Sequence, residues 1–190
     1  WDGTLMDSAA AIVRSIQAAC RDLDLVPPSD SQARHVIRLG LVDGMRQAVR
    51  NLPAERYPEM AARYRHHYLA GDHELELFAG IREIVGELRE SGRILAIATG
   101  KSRVGLDRAL GHCGLGPMFH ASRCADECFS KPHPQMLAEL MAEFAVEPER
   151  TLMIGDTSHD LLMATNTGVD GLAVTYGAHG HEHLREYRPV

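Results

Sequence analysis

Between Ser8 and Asp24 the apolar positions fall at Ile12, Val13, Ile16, Ala19, Cys20 and Leu23, the three-and-four spacing of one helical face. Asp7 or Ser8 stands where a helix cap is wanted, and Pro27-Pro28 ends the pattern because proline cannot continue a helix. Three more helical stretches follow, at about Asp30 to Ile37, Val42 to Arg50 and Pro58 to Ala70. Around the last of these, Tyr57, Met60, Tyr64 and Tyr68 recur at helical spacing and read as a core stripe rather than a stacking platform. No strand pattern interrupts residues 9–78, so this segment reads as an all-helical block.

After Gly80 the pattern alternates between helices and short apolar strands. A helix from about Ile81 to Ser91 stops at Gly92, where a C-terminal glycine is favoured. Arg93 to Ala98 then reads as a buried strand leading into Thr99-Gly100. A helix from about Ser102 to Cys113, a weaker strand near Met118 to Ala121 and a helix from Pro134 to Phe144 come next. Thr151 to Ile154 is a strand ending at Gly155-Asp156, His159 to Asn166 is helical up to Gly168, and Gly171 to Thr175 is a last strand. Alternating strands and helices predict a parallel sheet with right-handed crossovers, in which ligands bind beyond the carboxyl ends of the strands.

Composition narrows the class without naming it. The 190 residues are 45% hydrophobic and 24% charged, the balance of a globular enzyme able to bury a sizeable core. The net charge of -6 argues against general nucleic-acid binding, while a local basic patch could still hold a small anion. No apolar run approaches the ~20 residues of a membrane span. No signal peptide is visible, and the four cysteines match neither a disulfide framework nor a zinc-finger spacing, so reduced thiols and a cytoplasmic location are expected.

The predicted strand ends collect a particular set of side chains. Asp2 opens the chain, Thr99 and Gly100 follow one strand, Asp156 follows another, Asp160 lies one helical turn beyond it, and Lys131 precedes a helix on the same face. Carboxylates suit a hard cation such as Mg2+, and a lysine, a hydroxyl and backbone N–H groups suit phosphoryl oxygens. Taken singly, Lys131 reads as a surface lysine, GDTSHD as a capped helix start and ATGK as a strand and loop. Their common placement points to phosphoryl transfer, where positioning and charge neutralisation dominate.

On these motifs the chain resembles a haloacid dehalogenase superfamily phosphatase of the subfamily with a helical cap, phosphoglycolate phosphatase-like. DGTLMDS, AIATGKS, SKPHP and GDTSHD correspond, in order, to that family's four motifs, and residues 9–78 occupy the place of the cap. The resemblance implies an α/β fold, a Rossmann-like three-layer parallel core formed by residues 1–8 and 79–190. It also implies hydrolysis of a small phosphorylated metabolite through an aspartyl-phosphate, with Mg2+ as cofactor, and a monomer or homodimer without nucleic-acid or membrane partners.

By the same resemblance the Asp2 carboxyl is the acid/base, and the Asp2 backbone carbonyl and the Asp156 carboxylate hold the metal, with Asp160 orienting that shell. Thr99, Gly100 and Lys131 bind the phosphoryl group. The nucleophilic aspartate would immediately precede Trp1, and neither it nor the strand that would carry it is in the sequence, which therefore reads as truncated. Other activities of the same family remain open: pyrophosphatase, nucleotide or sugar-phosphate phosphatase, and phosphomutase. So does a non-catalytic phosphate-binding module.

Substrate choice falls to the cap. Arg34 and Arg38 lie one turn apart with His35 beside them, an edge that could meet a substrate carboxylate or second phosphate; the plain alternative is a solvated basic face. Arg38 stands where relatives commonly have glycine. The cap segment contains no lysine, which disfavours Schiff-base chemistry. Near the C-terminus, His179, His181 and His183 could bind a transition metal, although closely spaced histidines commonly do so without function.

Overall fold

The computed structural model describes residues 1–37, 41–49, 52–71 and 74–190, with the side chains of 41 and 42 excepted. Arg38 lies outside the described residues. The first helix, α1 (Ala9–Asp22), buries the face formed by Ile12, Val13, Ile16, Ala19 and Cys20. It packs along α4 (Tyr57–Gly71), and α2 (Asp30–His35) and α3 (Leu41–Ala48) complete the helical block. Met45, Val49, Leu52 and Met60 close the same core, with Tyr57, Tyr64 and Tyr68 packed against its edge. Each of these larger side chains, once buried, contributes about 1.5–3 kcal/mol of transfer free energy.

Ser29 makes α2 start where it does. Its hydroxyl accepts from the Gln32 amide and its own amide donates to the Gln32 side chain, a reciprocal cap. The expected side-chain cap on α1 is absent. Ser8 holds the cap position, but its hydroxyl donates instead to Asp2 Oδ1 at 2.7 Å. A carboxylate is the stronger acceptor, and it draws the serine toward the strand ends.

The remaining chain alternates as the pattern predicts: α5 (Ile81–Glu90), β1 (Ala96–Ala98), α6 (Arg103–Cys113), β2 (Ala121–Arg123), α7 (Gln135–Phe144), β3 (Leu152–Gly155), α8 (Ser158–Thr167), β4 (Asp170–Ala173) and a short α9 (His181–Arg185). Gly114 and Gly168 end α6 and α8 with φ of 69° and 72°, a left-handed conformation that costs glycine little. The weaker strand lies later than expected. Residues 116–118 form a 3-10 turn, and pairing begins at Ala121.

β1 and β2 are parallel, with Ile97 opposite Ser122, and β3 and β4 are parallel, with Ile154 opposite Leu172. Among the described residues the strands form these two pairs rather than one continuous ladder. Residues 1–8 form a turn in which the Trp1 carbonyl accepts from the amides of Thr4, Leu5 and Met6, with single bridges from Met6 to Asp2 and to Leu77. The buried Trp1 ring meets Phe119 edge-on and packs in one cluster with Ile97, Leu106 and Cys124. This packing fixes the turn against β1. No helix among the described residues is long and apolar enough to cross a membrane.

Candidate active site

The opening turn aims two groups at the strand ends. Asp2 receives the Ser8 hydroxyl and lies 3.1 Å from Lys101 Nζ, while Thr4 donates from Oγ1 to Asp156 Oδ1 at 2.7 Å. Tyr176 locks the turn from the far side by donating to the Thr4 carbonyl at 3.0 Å. Burial, and after it the charge of Asp156, pushes the Tyr176 hydroxyl above its ordinary pKa, so it remains a donor.

Asp156 follows β3 and is wholly buried. Its Oδ2 accepts from the Ala178 amide at 2.9 Å, and its carbonyl accepts from the His179 amide. This close approach requires glycine at 177, where a Cβ would sit 2.3 Å from both Cβ and Oδ2 of Asp156.

Lys131 and Asp160 form a second buried pair. Lys131, only 2% exposed, donates from Nζ to Asp160 Oδ1 at 2.7 Å and to the Ala98 carbonyl at 2.8 Å. It thereby joins the end of β1 to the start of α8, across the two strand pairs. The other oxygen of Asp160 accepts from the Thr157 amide and hydroxyl, at 3.1 and 2.7 Å. Asp160 thus positions Lys131 and caps α8 at once. Gly155 permits this, since a Cβ there would lie 2.3 Å from that of Asp160.

Thr99 is fully buried at the end of β1, and its hydroxyl accepts from the Lys101 amide at 3.2 Å. Beyond it opens a cavity of ≈ 880 Å³ whose lining includes Asp2, Gly100, Lys101, Tyr64, Tyr68 and Arg108. Lys101 donates to the Tyr68 hydroxyl at 2.9 Å, and its ammonium lies 4.8 Å from the centre of that ring. The tyrosine stripe of α4 therefore both edges the core and faces the cavity. Desolvation raises the Tyr64 pKa, with the neighbouring Tyr68 adding to the rise.

The structure brings Asp2, Thr99, Gly100, Lys131, Asp156 and Asp160 together around the ends of β1 and β3. Two of the three specificity candidates, Arg34 and His35, fall elsewhere; the third, Arg38, lies outside the described residues. Arg34 does not line the cavity, and His35 turns toward the C-terminal segment, its ring stacked on His179 with centroids 5.2 Å apart. Sequence pattern alone assigns no place in the site to four contributors: Thr4, Ser8, Lys101 and Tyr68. Thr4 and Lys101 sit inside the motifs DGT and ATGK, which were the available signal.

This arrangement of acids, lysine and strand ends matches a known family across most of the chain: the profile of the Haloacid dehalogenase-like hydrolase family covers residues 1–174. The chain belongs to that family. Within it, the chain is 34% identical to pyrophosphatase PpaX of Halalkalibacterium halodurans, over 99% of this chain and 86% of that one. It is 29% identical to a phosphoglycolate phosphatase of Agrobacterium fabrum, over 93% of this chain and 78% of that one. A solved haloacid dehalogenase-like hydrolase of Streptococcus pneumoniae superposes with a TM-score of 0.84 at 26% identity, covering 99% of this chain and 88% of that one. As a haloacid dehalogenase-like hydrolase with an α/β core and a helical cap, the protein is a phosphatase, a phosphoric monoester hydrolase.

Proposed function

We propose that the protein is a Mg2+-dependent phosphatase of small phosphorylated metabolites, phosphoglycolate phosphatase-like, with residues 1–8 and 79–190 as catalytic core and 9–78 as the cap that selects substrate. The observation that supports this most is the convergence of Asp2, Asp156 and the Lys131–Asp160 pair at the ends of β1 and β3, beside a cavity lined by Lys101 and Arg108. The cavity lining carries Arg65, Lys101 and Arg108 beside the carboxylates of Asp2, Asp43 and Asp126, so a charged metabolite finds partners of either sign there.

The donor set fits magnesium. Asp156 offers oxygen ligands at the end of a strand, and Asp2 stands in the turn that Thr4 ties to it. The Asp156 carboxylate and the Asp2 backbone carbonyl would hold the cation, which supplies charge stabilisation to the phosphoryl oxygens when bound. Lys131 spends two of its three N–H groups on Ala98 and Asp160, and the third is directed to a phosphoryl oxygen. Its charge is held in place before substrate arrives, so little reorganisation accompanies the reaction.

Thr99 and Gly100 place the backbone after β1 against the same phosphoryl group. Asp2 donates a proton to the leaving oxygen and takes one from the incoming water. Ser8 and Lys101, both on Oδ1, orient its carboxyl for these transfers. The attacking carboxylate implied by the family resemblance would stand immediately before Trp1.

Phosphate release by the full natural chain from 2-phosphoglycolate, pyrophosphate and a sugar phosphate tests this reading. Release that requires Mg2+ and falls at least 100-fold in Asp156→Asn is expected. Release that continues undiminished in excess chelator, or in Asp156→Asn, refutes it.

A further inference from the structure

Three histidines, one from the cap and two from the C-terminal segment, meet beside the loop that carries the Ala178 and His179 amides to Asp156. His35 ends α2 in the cap, His179 follows β4 by a short loop, and His183 lies in α9. One ring nitrogen from each falls within 4.8 Å of the other two. His181, the third histidine of the C-terminal run, is not part of this group and pairs with Glu182 on the surface.

His183 is the informative member. Its Nδ1 lies 3.5 Å from Glu186 Oε2, while its Nε2 is buried with no hydrogen-bond partner. In a neutral imidazole one nitrogen donates and the other offers a lone pair. With the proton on Nδ1 facing Glu186, Nε2 is a buried lone pair with nothing to accept. A carboxylate near one nitrogen and a buried, unpartnered nitrogen on the other side is the disposition of metal-ligating histidines, whose second nitrogen commonly faces a carboxylate.

We propose that His35, His179 and His183 form a binding site for a borderline transition-metal cation of the Zn2+ class, which fastens the helical cap to the core. Imidazole selects such ions over Mg2+ and Ca2+, which take oxygen ligands, so this site and the Asp156 site discriminate by donor chemistry. Zn–N bonds of about 2.0–2.1 Å in a tetrahedral site bring nitrogens to about 3.3 Å from one another. The exposed His35 side chain closes the remaining distance by rotating about its own bonds.

His179 must change tautomer to join. Its Nδ1 now accepts from the Ser158 amide at 3.1 Å and its Nε2 faces the His35 carbonyl at 3.4 Å. On binding, the Nε2 proton moves to Nδ1, which turns from the Ser158 amide toward Ser158 Oγ, 3.4 Å away; the Ser158 amide gives up its acceptor, a cost that the metal–nitrogen bond must offset. No net proton is released. His159 stays outside the ligand set and retains its own contact with the His35 carbonyl at 3.3 Å, holding the end of α2 in place.

Co2+ titration of the untagged full chain, stripped of metal and kept in excess Mg2+, reads this site directly. Tetrahedral nitrogen coordination gives intense visible d–d absorption, whereas Co2+ on oxygen ligands remains pale. One saturable equivalent of the intense band, displaced by Zn2+, is expected for the natural sequence and for His181→Ala. At least 10-fold weaker binding is expected for His35→Ala and for His183→Ala, with far-UV circular dichroism confirming that each variant is folded. No intense band, or unchanged binding in folded His183→Ala, overturns the site. A band lost in His183→Ala but unchanged in His35→Ala confines the ion to the C-terminal segment and overturns the clasp. Because the readout is absorption, failure of the phosphatase reading leaves this result intact.

Discussion

Replacing Asp160 with asparagine isolates the worth of the buried Lys131 pair. In the native protein Asp160 and Lys131 are each almost wholly shielded from water and 2.7 Å apart. Asp160→Asn leaves the Lys131 ammonium buried with only the Ala98 carbonyl and an amide oxygen to face. Leaving one charge of such a pair uncompensated costs about 3–5 kcal/mol. The variant also weakens the start of α8, because an asparagine that turns its oxygen to Lys131 presents NH2 to the Thr157 amide. Loss of one cap costs about 1 kcal/mol.

Lys131→Met removes the other charge and strands Asp160 in the same way. The double variant strands neither, and should lose only about 2 kcal/mol, far less than the two single losses together. Urea unfolding followed by circular dichroism measures all three. With a denaturant slope of about 2 kcal/mol/M, Asp160→Asn should lower the midpoint by about 2 M. Single losses that simply add in the double variant, or a shift below about 0.5 M for Asp160→Asn, would show that the pair does not stabilise this junction.

Gly177→Ala forces apart a Cβ and the Asp156 side chain, at 2.3 Å, and displacing that carboxylate by about 1 Å should cost about 100-fold in phosphate release. Tyr68→Phe deletes the hydrogen bond to Lys101 but keeps the ring over the ammonium, so kcat/KM should fall about fivefold, the equivalent of about 1 kcal/mol, with little change in melting temperature. Burial lowers the His179 pKa from 6.5 to about 4 in the folded protein. The unfolded chain therefore binds the extra proton between these values, and the stability of chelator-treated protein should fall as pH drops from about 6.5 to about 4; chemical denaturation across that range checks the sign. Cys20 and Cys124 have thiols pushed up to about 11 and about 12 by burial, so both should resist thiol reagents at pH 8 until the protein unfolds.

The helices of the cap were legible because an amphipathic face repeats over many residues, as along α1, and burial follows that repeat closely. The strand β2 was harder to place. Residues 118–121 are apolar enough to suggest pairing, but the 3-10 turn at Gly116-Pro117-Met118 delays the extended backbone until Ala121. The acids and lysine of the site were visible through their spacing around predicted strand ends.

What spacing did not convey was partnership. Ser8 looked like a helix cap, and its hydroxyl goes to Asp2; Asp160 carried an expected role beside the metal shell, and spacing gave no sign that its oxygens hold Lys131 and Thr157. Such choices depend on which acceptor is nearest in three dimensions. The meeting of His35 with His179, 144 positions away, is of the same kind.

The ammonium of Lys101 touches Asp2 on one side and the phenol of Tyr68 on the other, so a residue of α4 and the residue proposed for proton transfer share one cation. Thermodynamic linkage then runs both ways with equal strength. An anion that draws Lys101 toward itself loosens α4 and alters the field at Asp2 in one event. Seating α4 more firmly must, by the same free energy, change how readily that anion is held. On the proposed function, the seating of α4 and the state of Asp2 are thereby coupled through one side chain.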